Sequence, residues 1–235
     1  METGRTCGMD IPNYGGIIDR GSGHIGFVAI YGEDPELMYI VSGTAEDGIM
    51  GPLGDGGVYV TTNGGQNWEP RDYGLPYGVI SAFYFNQTNP EDLLVGLTGG
   101  GIYKTTDGGK YWFKTGDFTS VVDFQPDGNV MLAGTAKGVI ESTDGGYTWN
   151  LISLTEYPVA SLSVSGSVAY AWLWGPGTGE PGAVYLYFEK SVNLEKNWTR
   201  LHTFEGNYPI FISASPYNSS NVYFGFANAT LPVST

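Results

Sequence analysis

The sequence has little of what most catalytic and membrane chemistry draws on. It holds a single cysteine, Cys7, so no internal disulfide can form, and no second thiol stands near it to make a redox or zinc pair. Histidine occurs only at His24 and His202, both in strand-like runs, which leaves no metal-binding or Ser-His-Asp pattern. Basic residues number 10 against 24 acidic ones, a net charge of −14, and they form no cluster. Nucleic acid and anionic membrane both need clustered Lys and Arg, so neither is expected as a partner. No apolar run is long enough to span a bilayer, and Met1-Glu2-Thr3-Gly4-Arg5 has no apolar signal region, as if a signal had been removed or the sequence began within a longer protein. Charged residues make up 14%, against a usual level of about 25%.

What is abundant points to strands and turns: 37 glycines and 14% aromatics in 235 residues. Around these the chain repeats. Thr105-Thr106-Asp107-Gly108-Gly109-Lys110-Tyr111-Trp112 recurs as Thr61-Thr62-Asn63-Gly64-Gly65-Gln66-Asn67-Trp68 and as Ser142-Thr143-Asp144-Gly145-Gly146-Tyr147-Thr148-Trp149, with a degraded copy from Ser191 through Asn193 to Trp198. A short apolar run enters each copy as a strand. The Asp or Asn is expected to accept hydrogen bonds from backbone N–H groups two residues on, and Gly-Gly supplies the positive φ of a tight reversal. The Trp is expected to begin the returning strand and plug the gap to a neighbouring unit.

This pattern, Ser/Thr-x-Asp-x-Gly-x-Thr/Asn/Tyr-Trp, resembles the Asp-box or BNR repeat found in sialidases, xyloglucan hydrolases, sortilin-type receptors and photosystem assembly factors. The resemblance implies an all-β fold, a β-propeller of four-stranded antiparallel blades, with the boxes as structural staples and not active sites. At about 40 to 50 residues per blade the chain holds four and a half to five blades.

Taken in order, residues 1–22 read as a polar arm and residues 23–235 as the propeller, with blades near 23–72, 73–116, 117–155 and 156–205 and a partial blade at 206–235. Expected strands are His24 to Tyr31 and Leu37 to Ser42 in the first; Val79 to Phe85, Leu93 to Leu97, Gly101 to Thr105 and Tyr111 to Lys114 in the second. The third reads as Ser120 to Phe124, Asn129 to Ala133, Gly138 to Ser142 and Thr148 to Ser153, turning at Pro126-Asp127-Gly128. The fourth has Val159 to Val164 and Val168 to Leu173, then an insertion from Trp174 to Pro181. The fifth starts with Pro209 to Ala214 and Asn221 to Phe226. Either the arm completes the fifth blade and closes a ring, or the chain is the front of a longer propeller; the second is preferred, because the arm carries no recognisable box.

In such propellers the boxes sit towards one face, so function is sought in the loops of the other. These are residues 44–56, with Glu46, Asp47 and Asp55; residues 172–182, with Trp172, Trp174 and Glu180; and the segment from Asp72 to Tyr77. Tyr77, Trp172, Trp174 and Glu180 are the candidate ligand-binding residues, since sugar C–H faces stack on rings while hydroxyls bond to acids. The other reading packs both tryptophans between blades and leaves the acids solvated. The stretch Gly21-Ser22-Gly23-His24-Ile25-Gly26-Phe27-Val28 with Met38-Tyr39 is similar to the first blade of xyloglucan hydrolases, which makes Asp47 the nearest match to that family's catalytic base. The partner acid of that family lies in a second propeller that this sequence does not contain, and an inverting glycosidase needs two carboxyl groups about 6.5 to 9.5 Å apart. A sialidase-type arginine triad is hard to assemble from Arg5, Arg20, Arg71 and Arg200. The acidic loops lack calcium-loop spacing, and no metal or cofactor is expected.

Four Asn-x-Ser/Thr sequons, at Asn86, Asn197, Asn218 and Asn228, suit an extracellular or cell-surface glycoprotein. The expectation is therefore a binding or structural propeller presenting a rigid loop face to a glycan or protein partner, as part of a larger protein or an assembly with other chains. The alternative is a glycoside hydrolase of the xyloglucan-hydrolase type acting on β-glucans.

Overall fold

The computed structural model describes residues 25–42, 57–76, 78–127, 130–152, 157–176, 184–192, 194, 197–205 and 209–226. Among them all regular structure is strand. The first sheet joins β1 (Ile25–Ile30), β2 (Met38–Ser42), β3 (Gly57–Thr61) and β4 (Glu69–Pro70). The second joins β5 (Ile80–Phe85), β6 (Leu93–Leu97), β7 (Gly101–Thr105) and β8 (Phe113–Gly116). The third joins β9 (Asp123–Asp127), β10 (Val130–Thr135), β11 (Gly138–Ser142) and β12 (Asn150–Leu151). In the fourth are β13 (Val159–Ser165), β14 (Val168–Pro176), β15 (Val184–Val192) and β16 (Trp198–Glu205), and a two-stranded sheet pairs β17 (Pro209–Ala214) with β18 (Val222–Phe226). Each sheet lists its strands in chain order, the meander of a propeller blade. The fold is an all-β propeller built of blade-like sheets.

The middle strands explain the apolar runs. Leu93, Leu94, Val95 and Leu97 are all buried, as are Met131, Leu132 and Ala133, because a strand covered on both faces cannot alternate with polar residues. By contacts the chain forms two compact units, one of Met1–Ile80, Phe85–Leu93 and Thr105–Trp112, the other of Ser81–Tyr84, Leu94–Lys104 and Phe113–Thr235. In the first, Tyr39 lies against Phe85 with ring centroids 5.6 Å apart and reaches the Gly108 carbonyl with its hydroxyl. In the second, one apolar cluster gathers Leu132, Val139, Leu162, Leu173, Tyr187 and Trp198, and another gathers Tyr170, Trp172, Phe188, Ile212 and Ala214.

Several expected elements move, among them the strand expected from Thr148, which is Asn150–Leu151. Ser120 adopts φ 53 and donates its N–H to the Thr98 carbonyl, so the strand expected from Ser120 starts at Asp123 and carries on through Pro126. Proline is tolerated there because β9 is an edge of its sheet and owes no outward N–H. The strand expected from Tyr111 starts two residues later, after the tryptophan. The insertion expected at Trp174 is strand as far as Pro176: Trp174 pairs with Leu186 and Gly175 with Tyr185, giving a hairpin of two nine-residue strands. Gly175 is required, since a Cβ there would run into the Tyr187 ring.

Candidate functional site

The repeated turn is built by side chains. In the copy at 105–112 the Thr105 hydroxyl donates to Asp107 Oδ1 at 2.8 Å and accepts the Gly109 N–H at 3.0 Å, while Asp107 Oδ1 accepts the Tyr111 N–H at 3.0 Å. Thr61 with Asn63 repeats the arrangement, the Asn63 Oδ1 accepting the Asn67 N–H at 3.0 Å. Ser142 with Asp144 repeats it again, and there Thr148 adds both its N–H and its hydroxyl. The carboxylate therefore reaches four residues on, and it is the Ser or Thr hydroxyl that meets the N–H two residues on. Gly108 and Gly109 sit at φ 70 and 83, which a side chain rarely adopts. Slight burial works against ionising Asp144, but the hydrogen bonds from Thr148, Ser142 and Tyr147 outweigh it and hold the carboxyl at about 2. Asp107 is lowered in the same way.

Each turn delivers a tryptophan. Trp112 donates Nε1–H to the Arg71 carbonyl at 2.7 Å, and its own N–H goes to the Tyr73 carbonyl at 2.9 Å. Gly74, at φ 96, leaves no room for a Cβ against the Trp112 carbonyl. Residues 71–74 are thus part of the tryptophan's socket, although the segment from Asp72 was expected on the loop face away from the turns. Trp149 donates to the Gly146 carbonyl at 3.2 Å and approaches the Thr115 hydroxyl at 3.4 Å. Trp68 and Trp198 are buried as well. All four tryptophans precede or open the outermost strand, and they are structural.

Of the candidate ligand-binding residues, Trp172 and Trp174 are described, and they differ. Trp172 is fully buried among Phe188, Phe204 and Phe224, at centroid distances of 5.1, 4.8 and 5.5 Å. No face of its ring is open for stacking, so that expectation is corrected: Trp172 is packing. Trp174, two residues on and on the same side of β14, is 36% exposed, and its N–H is held by the Pro158 carbonyl at 2.8 Å. It is the one exposed tryptophan of the six. Asp47, Tyr77, Glu180, Asn193 and Asn228 lie outside the described residues. Asn197 and Asn218 are exposed; Asn86 is half-buried, its Oδ1 accepting from the Thr88 N–H and hydroxyl.

Two charged sites went unread in the sequence. Asp123 lies at the start of β9, where Oδ2 accepts the Leu162 N–H at 3.4 Å; burial pushes its carboxyl up to about 6. The signal was there, a lone acid inside Val121-Val122-Asp123-Phe124. Arg200 covers the Tyr187 ring at 3.4 Å and donates to buried Glu189 at 3.1 Å, which commits it to a structural pair. No group of three His, Cys, Asp or Glu residues that could hold a metal occurs among the described residues.

Sheets, turns and tryptophan anchors together define a β-propeller, and solved structures agree. The chain is similar to an ancestral GH74 enzyme, with a TM-score of 0.62, 18% identity, 88% of this chain and 30% of that one covered. It is similar to the GH74 xyloglucanase from Xanthomonas campestris, with a TM-score of 0.64, 15% identity, and 88% and 36% covered. A chain of a nidogen/laminin complex follows at 0.53 and 11%, with 82% and 67% covered. The chain spans about a third of the length of the two GH74 structures. No protein-family model matches it, and neither does any curated protein sequence. At these identities the likeness carries the fold alone.

Proposed function

We infer that the protein is an extracellular or cell-surface propeller of the Asp-box type that binds a glycan or protein partner through a rigid loop face, within a larger protein or assembly. The observation that carries this reading is Trp174. Five tryptophans are buried and this one is left half-open at the far end of a hairpin whose backbone is paired residue for residue. A large amphipathic ring on a stiff mount is what hot spots of recognition are made of. The hydrogen-bond pattern of the turns supports the Asp-box reading, and the exposed sequons at Asn197 and Asn218 support a secreted surface. Among the similar structures are a xyloglucanase and a complex between two proteins, which keeps glycan and protein both in view as partners.

The alternative, a glycoside hydrolase using Asp47, needs a second carboxyl opposite it. One assay separates the two readings: reducing-end release from xyloglucan and a panel of β-glucans by the native protein and by Asp47→Ala. Binding without catalysis predicts no release by either protein, with retention on an immobilised glycan or partner that Trp174→Ala weakens. Release by the native protein that disappears in Asp47→Ala would make it a hydrolase.

A further inference from the structure

Three sheets join their first two strands by the same loop, and in two of the copies a sequon falls on a different place in it. The loops run over residues 31–37, 86–92 and 215–221, which follow β1, β5 and β17. In each, the first residue donates its N–H to the carbonyl of the last, Tyr31 to Leu37, Asn86 to Asp92 and Ser215 to Asn221. The last residue in turn donates its N–H to the carbonyl of the fourth, Asp34, Asn89 or Asn218. The side chain of that fourth residue accepts a backbone N–H from two residues on, at 3.1 Å from Glu36, 3.3 Å from Glu91 and 3.0 Å from Ser220. Asp serves here as well as Asn, because the turn uses only the Oδ1 acceptor. Asp34, Asn89 and Asn218 are all exposed, so exposure belongs to this place in the loop, whichever sheet carries it.

The sequon Asn86-Gln87-Thr88 begins at the first place of its loop, and both ends of its amide are engaged. Nδ2 donates to Asp92 Oδ2 at 3.3 Å, and Oδ1 accepts the Thr88 N–H at 3.0 Å and the Thr88 hydroxyl at 2.8 Å. Gln87 between them donates Nε2–H to the Ile30 carbonyl and accepts the Gly32 N–H on Oε1. The sequon Asn218-Ser219-Ser220 begins at the fourth place. Its Oδ1 holds the turn, while Nδ2 and the Ser220 hydroxyl have no partner among the described residues. The neighbouring sheet stiffens this loop from beneath. The Tyr170 hydroxyl donates to the Ser219 carbonyl at 2.7 Å, and the Ser165 hydroxyl to the Ser215 carbonyl at 2.6 Å. Beside the free amide stands Tyr217, 97% exposed.

We propose that Asn218 carries an N-linked oligosaccharide and that Asn86, despite its sequon, is kept bare as a clasp of its loop. The donor is an oligosaccharide on a polyisoprenyl pyrophosphate. Asn218 Nδ2 bonds to the anomeric carbon, the bond from that carbon to the pyrophosphate oxygen breaks, the lipid pyrophosphate leaves with the electron pair, and one Nδ2 proton passes to a base of the transferase. Nothing is oxidised or reduced. The product keeps Oδ1, so the Asn218 turn survives the modification, whereas a sugar on Asn86 would take an N–H from a half-buried amide bound to Asp92. The glycan also stands clear of the open tryptophan: Tyr170, which holds its loop, and Trp174 are about 13 Å apart along β14. This inference rests on the extracellular reading above and not on binding at Trp174.

The test is site occupancy in the full chain, secreted from a eukaryotic host behind a secretory leader. Peptide-N-glycosidase in heavy-oxygen water turns each glycosylated Asn into a labelled Asp, which peptide mapping reads by mass. Most Asn218 peptides are expected to carry the label and Asn86 peptides to lack it. Ser220→Ala keeps the N–H that binds Asn218 Oδ1 and removes the hydroxyl the transferase requires, so it should abolish the label at Asn218 with the circular dichroism unchanged. A secreted chain whose Asn218 peptide is bare, or whose Asn86 peptide is labelled as fully, would overturn the proposal and leave the extracellular reading standing. Retention inside the cell of the native chain and of Ser220→Ala alike would overturn both.

Discussion

The segments Ser142–Trp149 and Ser191–Trp198 stand at the same place in neighbouring sheets and hold their tryptophans to the same burial, 9% exposed, with different residues between, Gly145-Gly146 in the first and Leu194-Glu195 in the second. In the first, Ser142 and Asp144 gather the backbone N–H groups, two glycines take the left-handed conformation, and Trp149 Nε1–H has acceptors. In the second, Leu194 takes the left-handed conformation itself at φ 51, its side chain is buried in the apolar cluster, and Trp198 Nε1 has no partner among the described residues. Left-handed backbone costs a leucine about 1–2 kcal/mol, which burial of its side chain offsets at about 1.5–3 kcal/mol. The anchor is therefore what the repeat keeps, and the polar turn is one way of delivering it.

That contrast can be broken in order of effect. Removing an anchor outright costs most: Trp112→Ala is expected to lower stability by about 3–5 kcal/mol in urea denaturation, since it empties a buried site and orphans the Arg71 carbonyl. Second comes Asp123. Its carboxyl is raised by burial to about 6, so the folded state holds its proton more tightly than the unfolded chain does, and the charge destabilises the fold as pH rises from about 4 through 6. Asp123→Asn keeps an acceptor for Leu162 and is expected to be more stable than the native protein by about 2–3 kcal/mol at pH 8, with the gain gone at pH 4. A gain that persists at pH 4 would deny the charge its role.

The polar turn ranks next. Asp144→Ala removes the acceptor of Tyr147 and Thr148 and is expected to cost about 1–2 kcal/mol at pH 7. Because the carboxyl is held at about 2, its contribution is present above about pH 4 and lost as pH falls towards 2, so the native and variant stabilities should converge there. The smallest effect on folding is expected of Trp174→Ala, about 1 kcal/mol for a ring 36% exposed, alongside weakened partner binding.

The turns were legible because their chemistry is local: Thr105, Asp107, Gly108 and Gly109 act within eight residues, and the pattern repeats in register. So were β6, β7, β11 and β17, where apolar runs end at turn residues. Asp123 was not, since its meaning comes from the Leu162 N–H of the neighbouring sheet, 39 residues away. Nor was the difference between Trp172 and Trp174, two residues apart on one face of β14. The first is closed by Phe204 of its own sheet and Phe224 of the next, and the second is 36% exposed. Ser120 carried no composition signal for its left-handed turn, and β9 was displaced with it.

The most direct test is a paired one: Trp149→Ala and Trp198→Ala, each measured by urea denaturation under the same conditions. If the anchor is what the repeat preserves, both lose a comparable amount, about 3–5 kcal/mol, despite their unlike turns. A large loss for Trp149→Ala beside a loss under about 1 kcal/mol for Trp198→Ala would show that the polar turn, and not the tryptophan, holds the sheet, and would contradict the account.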